Sequence, residues 1–376
     1  MKNFLKRHIF TVPIAEPPYI HFFKWKIPYG IYEDYREDGG VPYAETYEHG
    51  FGLERRIGRE RLPYICESPW DYPDHQLHFL VKGDMTDADR RRFVEFNYYE
   101  QNGCFPDFDH PRKLTEKVLW HFLYGNKAQI AETNDKIRAK EWVAQRIGEE
   151  HVVPLYGVYD HACEIDFDQL PNSFTVKSNL GNGGHQVAFV HDKSRTDPDE
   201  LRRVIDSWMY PWENFSSLSL DISPCNGRPR ILVEQFLDQG PGHEKATNYK
   251  WYCLNGEPVF GLFTSDSYSE RIQQTFIDTE GKPVPYRFTK EVSYGYTDHF
   301  PLPDTFGEML EISRKLASEF TIARVDLYDV GGRIYVGEMT TEVVLGSPIH
   351  PVEWDYRLGE RLDLSREMEA YKARMH

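Results

Sequence analysis

Residues 322–347 read IARVDLYDVGGRIYVGEMTTEVVLGS: two strand-like runs meet at Gly331-Gly332, and each carries charged side chains among apolar neighbours. Alternation along the first run puts Arg324, Asp326 and Tyr328 on one face and Ala323, Val325 and Leu327 on the other. On the second run Ile334, Val336, Glu338 and Thr340 are expected to share a face. Turn length then decides where the carboxylates point. A two-residue Gly331-Gly332 loop pairs Val330 with Arg333 and, counted back, Asp326 with Gly337, which sends Asp326 and Glu338 to opposite faces. An odd loop, Val330-Gly331-Gly332 with a left-handed glycine, brings both carboxylates to one face.

A hairpin needs none of these charges to fold. Either they neutralise one another as a structural cluster, or they hold a cation. Asp326, Glu338 and the Thr340 hydroxyl make an oxygen-only set of the kind Mg²⁺ takes, since magnesium keeps its waters and adds one or two carboxylates and substrate phosphates. Two carboxylates against Arg324 alone leave excess negative charge, which is costly to bury unless a cation enters. The charge balance favours the metal.

Composition sets the outer bounds. The chain has 376 residues and a formal net charge of -16, from 60 Asp plus Glu against 44 Lys plus Arg. Such a balance argues against a protein that coats nucleic acid or an anionic membrane, while a local basic site for a phosphate compound is compatible with it. The cysteines at positions 66, 104, 163, 225 and 253 form no CxxC pair, so neither a disulfide framework nor a zinc site is expected, and His161 with Cys163 is disfavoured as a ligand pair. A reducing, cytoplasmic setting fits best. Lys6, Arg7, His8 and repeated prolines break up the N-terminal apolar run, so no signal peptide is expected, and no run approaches the ~18 apolar residues of a membrane helix.

Residues 1–105 are rich in Pro and aromatics and have no assigned role. Trp70, Tyr72, Phe96, Tyr98 and Tyr99 read as scaffold packing in preference to carbohydrate stacking. From Thr115 the periodicity sharpens. TEKVLWHFLY places Val118, Leu119, Phe122 and Leu123 on one helical stripe. Asn134 is the expected N-cap of a second helix, DKIRAKEWVAQRIG, with Ile137, Val143, Ala144 and Ile147 inward and Gly148 closing it. Strands are expected at 174–177, 186–190, 230–237, 249–255 and 258–265. A helix over 306–320 has Met309, Ile312, Leu316 and Phe320 at core spacing. This order predicts an α+β architecture: a small strand-rich lobe, then a larger lobe with an antiparallel sheet.

Two further stretches carry possible chemistry. In FTVKSNLGNGG (174–184) a strand ends in Lys177 and runs into glycines 181, 183 and 184. Such a loop lets backbone N–H groups approach phosphate oxygens beside a neutralising ammonium; it reads equally as a flexible hairpin turn, and it is neither a P-loop nor a dinucleotide fingerprint. In RILVEQFLD (230–238) Glu234 is a lone carboxylate in an apolar strand. It either finds a structural partner or marks a hinge where an adenine ring lies against Phe236 or Leu237.

Taken in order, TEKVLW, DKIRAKEWV, LPNSFTVKSNLGNG, ILVEQFL, NYKWYCLNGEP, ARVDLYDVGGRIYVGEMT and the closing DYRLGERLDL resemble the ATP-grasp superfamily, and within it the TupA-like proteins of teichuronopeptide and capsular polysaccharide gene clusters. The resemblance runs from about Pro106 to Leu364. It implies an ATP-grasp region over 106–376, with a small lobe at about 150–235, a C-terminal lobe at about 236–366, and nucleotide held between them. It further implies that Lys136 and Lys177 contact ATP phosphates and that the loop with Asn179, Gly181, Gly183 and Gly184 folds over them. Glu234, Phe236 and Leu237 would hold adenine and Asn248 the ribose. Asp326, Glu338 and Thr340 would bind Mg²⁺, and Arg324, with Lys250 nearby, would sit at the reacting oxygens. The chain departs from the pattern at several positions. Thr340 stands where many ATP-grasp enzymes have Asn, Asn248 where the family has Asp, and Leu180 and Asn182 where it tends to have His and Ser. TEVVLGS lacks the usual Phe and Pro.

The implied activity is an ATP- and Mg-dependent carboxylate–amine ligase that forms an amide through an acyl phosphate, joining an amine or amino acid to a glycan or small-molecule carboxylate. No Ser, Cys or His nucleophile is needed, and no triad motif is present. The alternatives are a kinase that phosphorylates a sugar hydroxyl, and a nucleotide-binding scaffold without catalysis. No nucleic acid or membrane partner is implied. Oligomeric state is left open.

Overall fold

The computed structural model describes residues 104–126, 133, 135–181, 186–206, 208, 215–217, 229–238, 247–265, 273–288, 295–296, 300–341, 343 and 347–375, with strands Ile20–Phe22, Trp25–Ile27 and Leu80–Lys82 and five single residues between 91 and 102. Asn134, Gly183, Gly184 and the aromatics Trp70, Tyr72, Phe96 and Tyr99 lie outside the described residues. The chain divides into two compact units, one of Met1–Glu100 with Pro154–Phe236 and the other of Gln101–Val153 with Leu237–His376.

The first unit is built on a four-stranded antiparallel sheet. Its strands are β1 (Leu155–Tyr159), β2 (Phe174–Ser178), β3 (Val187–Val190) and β4 (Ile231–Gln235), in the order β1-β4-β2-β3. Alternation decides what each face does. Phe174, Val176, Ala188, Val190, Ile231 and Val233 turn to one side and pack with Leu201, Val204 and Ile205 of helix α1 (Pro198–Asp206). Thr175 and Glu234 face each other across β2 and β4 on the other side. Strand β1 and helix α1 have no counterpart in the sequence expectation. β1 is too exposed to show an apolar run, and α1 is short and mostly charged.

The second unit holds a six-stranded sheet. Strands β5 (Asn248–Leu254), β6 (Glu257–Ser265), β7 (Gln273–Asp278), β8 (Gly295–Tyr296), β9 (Ile322–Val330) and β10 (Arg333–Thr340) lie in the order β8-β7-β6-β5-β9-β10. Every pairing is antiparallel except β7 with β8. Helices α2 (Lys136–Ile147) and α3 (Phe306–Ala317) share one core with this sheet: Val143, Met309, Ile312 and Leu316 pack with Trp251, Phe263, Val325, Leu327 and Met339. Phe320, expected inside the third helix, is buried in that core just beyond its end. The N-cap of α2 is Asp135, whose Oδ1 accepts from the Ile137 amide at 2.8 Å.

Three more helices among the described residues belong to this unit: α4 (Leu114–Tyr124), α5 (Val352–Glu360) and α6 (Ser365–Met375). The stripe Val118, Leu119, Phe122 and Leu123 of α4 is buried, as its spacing requires. Polar joints tie α4 to the C-terminal helices. Asp355 accepts from the Thr115 amide and hydroxyl at 2.9 and 2.6 Å, Lys117 Nζ donates to the carbonyls of Gly359 and Leu362, and His121 meets Glu367 at 2.7 Å.

Candidate active site

The hairpin of β9 and β10 turns on two residues. Val330 pairs with Arg333, and Gly331 and Gly332 have φ of 62° and 82°, the positive values that a two-residue turn of this hand needs. Of the two turn lengths open from the sequence, the two-residue one therefore forms and the odd loop does not. From Val330 to Leu327 the pairing follows that turn, with Leu327 opposite Val336. Between Leu327 and Asp326 the register shifts, Gly337 is left unpaired as a β-bulge, and Asp326 comes to stand opposite Glu338.

The bulge reverses the alternation of β10. Ile334 and Val336 face the core, but Glu338 and Thr340 do not share their face, as plain alternation required; Met339 takes the next inward place, opposite Val325. The chemistry favours this outcome. Fully burying a Met side chain is worth about 1.5–3 kcal/mol, whereas a carboxylate beside Val325 and Trp251 would lack a partner.

On the opposite face the strands assemble charges in rows. Lys250 of β5, Asp326 of β9 and Glu338 of β10 form one row; Tyr252, Arg324 and Thr340 form the next. Arg324 Nε and Nη2 donate to Asp326 Oδ1 and Oδ2 at 2.6 and 2.9 Å, and Nη2 also reaches Glu338 Oε2 at 3.1 Å. Lys250 Nζ donates to Asp326 Oδ2 at 2.9 Å. Asp326 is buried to 2 % side-chain exposure, while Glu338 retains 32 %.

Two cations against two carboxylates make this group formally neutral. With Lys250 in place beside Arg324, the excess of negative charge that favoured a metal is gone. Burial disfavours the Asp326 carboxylate, but Arg324 and Lys250 outweigh it and hold its pKa below the usual carboxylate range. Burial likewise works against the Arg324 charge, and Asp326 and Glu338 more than restore it.

The donor set still fits Mg²⁺. Two carboxylates share a face, Glu338 remains partly open, and Thr340 lies one row away. Among the described residues no group of three or more His, Cys, Asp and Glu side chains comes together as a metal cluster. A two-carboxylate magnesium site completed by water and phosphate does not need one.

Tyr252 is the residue that sequence reasoning missed. It lies opposite Arg324, is hydrogen-bonded to it, and burial pushes its phenol up to about 12. It stacks on Phe260 at 4.5 Å. Its position two residues from Lys250 in YKWYCLN was the available signal. Asn248 Nδ2 donates to the Tyr328 hydroxyl at 3.4 Å, while its buried Oδ1 has no donor among the described residues. Lys136 opens α2 and lines a cavity with Lys140, Val336, Gly337, Glu338 and Met339.

In the first unit Lys177 and Glu234 form an ion pair on the face away from the helix-covered core, with Glu234 almost fully buried. Glu234 thus has the cationic partner that a lone strand carboxylate requires. The Asn179 side-chain oxygen accepts from the Arg230 amide at 2.7 Å, and its own amide donates to the Arg230 carbonyl, so it extends the pairing of β2 with β4. At Gly181 a Cβ would press on Gln186. Phe236 packs edge-on against His191, ring centroids 4.7 Å apart. Leu237, half-buried, begins the second segment of the other unit.

No curated protein matches the sequence. Among solved structures, D-alanine–D-alanine ligase from Bacillus anthracis complexed with ATP is similar at 13 % identity and a TM-score of 0.38, over 66 % of this chain and 69 % of that one. The D-alanine–D-alanine ligase from Helicobacter pylori gives 15 %, 0.38, 66 % and 69 %. N5-carboxyaminoimidazole synthetase from Staphylococcus aureus complexed with ADP gives 13 %, 0.31, 56 % and 45 %. Residues 116–363, well over half of the chain, match the TupA-like ATP-grasp family. The chain therefore belongs to the TupA-like ATP-grasp family and has its α+β fold.

Proposed function

We propose that the protein is an ATP- and Mg-dependent carboxylate–amine ligase. The observation that carries this reading is the row Lys250, Asp326, Glu338 with Arg324 beside it, a cation-and-carboxylate array on one sheet face with no nucleophile in it. ATP with magnesium supplies the activating phosphoryl group and neutralises part of its charge. Asp326 and Glu338 would hold the magnesium, with the Thr340 hydroxyl as a further oxygen. Arg324 would sit at the transferring phosphoryl and then at the oxyanion formed when an amine adds to the acyl phosphate. Lys136, Lys177 and Lys250 would neutralise phosphate charge. Glu234, Phe236 and Leu237 would take adenine, and Asn248 Oδ1 would accept from a ribose hydroxyl. The loop with Asn179, Gly181, Gly183 and Gly184 would cover the phosphates.

Membership of the TupA-like family supports a glycan carboxylate, such as a uronic acid, as one substrate and an amino acid or amine as the other. A screen of carboxylate and amine pairs for ADP release tests the reading. A ligase releases ADP and phosphate only when both partners are present. Phosphate retained on a single product would make the protein a kinase, and nucleotide binding with no turnover across a broad panel would make it a scaffold.

A further inference from the structure

We propose that Gly337 is a positioning residue, and that the Tyr328 ring seated on it locks the bulge that carries Glu338 to Asp326. Without the bulge, the two-residue turn would continue its register and pair Asp326 with Gly337. Glu338 would then point into the core beside Val325, and the site would lose its second carboxylate.

Gly337 is not among the glycines with positive φ, so backbone conformation does not require glycine there. Space does. A Cβ at Gly337 would overlap Tyr328 Cε2 and stand 3.0 Å from Cδ2 and 3.2 Å from Cζ, so the ring lies directly on the bulged backbone. The far end of that ring is fixed as well, because Asn248 Nδ2 donates to its hydroxyl at 3.4 Å. Tyr328 thus spans from β5 to the bulge of β10 across its own strand, one row from Asp326. A side chain at 337 must displace either the ring or the bulge.

The register claim stands on the pairing alone; its catalytic consequence rests on the ligase reading. Two measurements on the full chain separate them. The first is a double-mutant cycle of Arg324→Met and Glu338→Gln read by urea unfolding, which needs no nucleotide. In the native background the two residues should couple, and in Gly337→Ala the coupling should vanish. The second is Mn²⁺ affinity with ATP present. Gly337→Ala should weaken it about tenfold or more, as loss of a supporting residue at a metal site does. Gly337→Ala with Tyr328→Ala, which opens room for the new methyl, should regain most of the affinity and the coupling.

Undiminished coupling in Gly337→Ala overturns the proposal, as does a double variant that regains neither quantity. If Gly337→Ala alone fails to fold, the double variant decides: recovery of the wild-type fold and coupling supports the lock, and failure to fold overturns it. Loss of coupling in Gly337→Ala without any Mn²⁺ binding by the native protein supports the lock while removing the ligase reading.

Discussion

Lys250 and Asp326 face each other across β5 and β9, and the Lys250 ammonium donates to Asp326 Oδ2 at 2.9 Å. The carboxylate best buried in the array is thus already served by two internal cations. Any metal that uses Asp326 has to share or displace them.

Lys250→Met removes one of these competitors. Mn²⁺ binding without nucleotide is expected to tighten about tenfold, equivalent to about 1.4 kcal/mol, while ATP turnover falls because a phosphate-neutralising group is gone. Electron paramagnetic resonance titration of Mn²⁺ measures the first and ADP release the second. Unchanged or weaker Mn²⁺ binding would show that Lys250 does not compete for Asp326.

Lys177 and Glu234 pose a similar balance in the first unit, with Glu234 the more deeply buried partner. Lys177→Met removes the cationic partner of that buried carboxylate and is expected to cost about 3–5 kcal/mol, as breaking a buried pair from one side does. Adding Glu234→Gln should recover most of the loss, because the buried charge that Lys177 balanced is then gone. Urea unfolding of both single variants and the double variant checks this. Additive losses would mean that the two groups do not act as a pair.

Asp355 titrates the other way. Burial raises its pKa despite the two bonds from Thr115. A raised carboxyl pKa means that the folded state holds the proton more tightly, so stability falls as pH rises from about 3.9, the unfolded value, through the folded one. At pH 7 the ionised form carries a cost. Asp355→Asn keeps an acceptor for the Thr115 amide without the charge, and its stability at pH 7 should equal or exceed that of the native chain. Asp355→Ala should lose about 1–3 kcal/mol by orphaning that amide. Thermal melts at pH 4 and pH 7 distinguish the outcomes.

Elements with strong periodicity were legible in advance. The stripe of α4, the apolar positions of α3 and the strands flanking Gly331-Gly332 all follow from spacing. The weakly patterned ones were not: β1 is half-exposed, α1 is mostly charged, α5 buries only Asp355, Leu358 and Gly359, and α6 buries none of its described side chains. Within the site, parity was the correct question, but the answer came from a different place. Of the two turn lengths open from the sequence, the even one forms, and Gly337 carries the odd residue instead. A glycine before Glu338 was visible in the sequence, yet its neighbour Tyr328 becomes a reason for it only once both strands are paired. Lys250 was legible as a nearby cation, though not as the charge that balances the array, because that depends on β5 lying beside β9.

Asp326 also gives the array an acid signature. Its folded-state pKa lies below the unfolded value of about 3.9, because Arg324 and Lys250 outweigh the burial that opposes them. The stabilisation is therefore complete above that value and is lost as pH falls through the depressed folded one. Asp326→Asn mimics the protonated side chain at every pH. At pH 7 it should cost about 3–5 kcal/mol, since Arg324 keeps only one carboxylate, Glu338, and Lys250 loses its partner. As pH falls below about 4, the native protein should lose stability relative to the variant and the gap between them should close. Urea midpoints for both proteins at pH 7, 5, 4 and 3 trace this convergence. A constant gap across the series would mean that Asp326 stabilises the fold by shape and not by charge, and would remove the electrostatic account of the row it anchors.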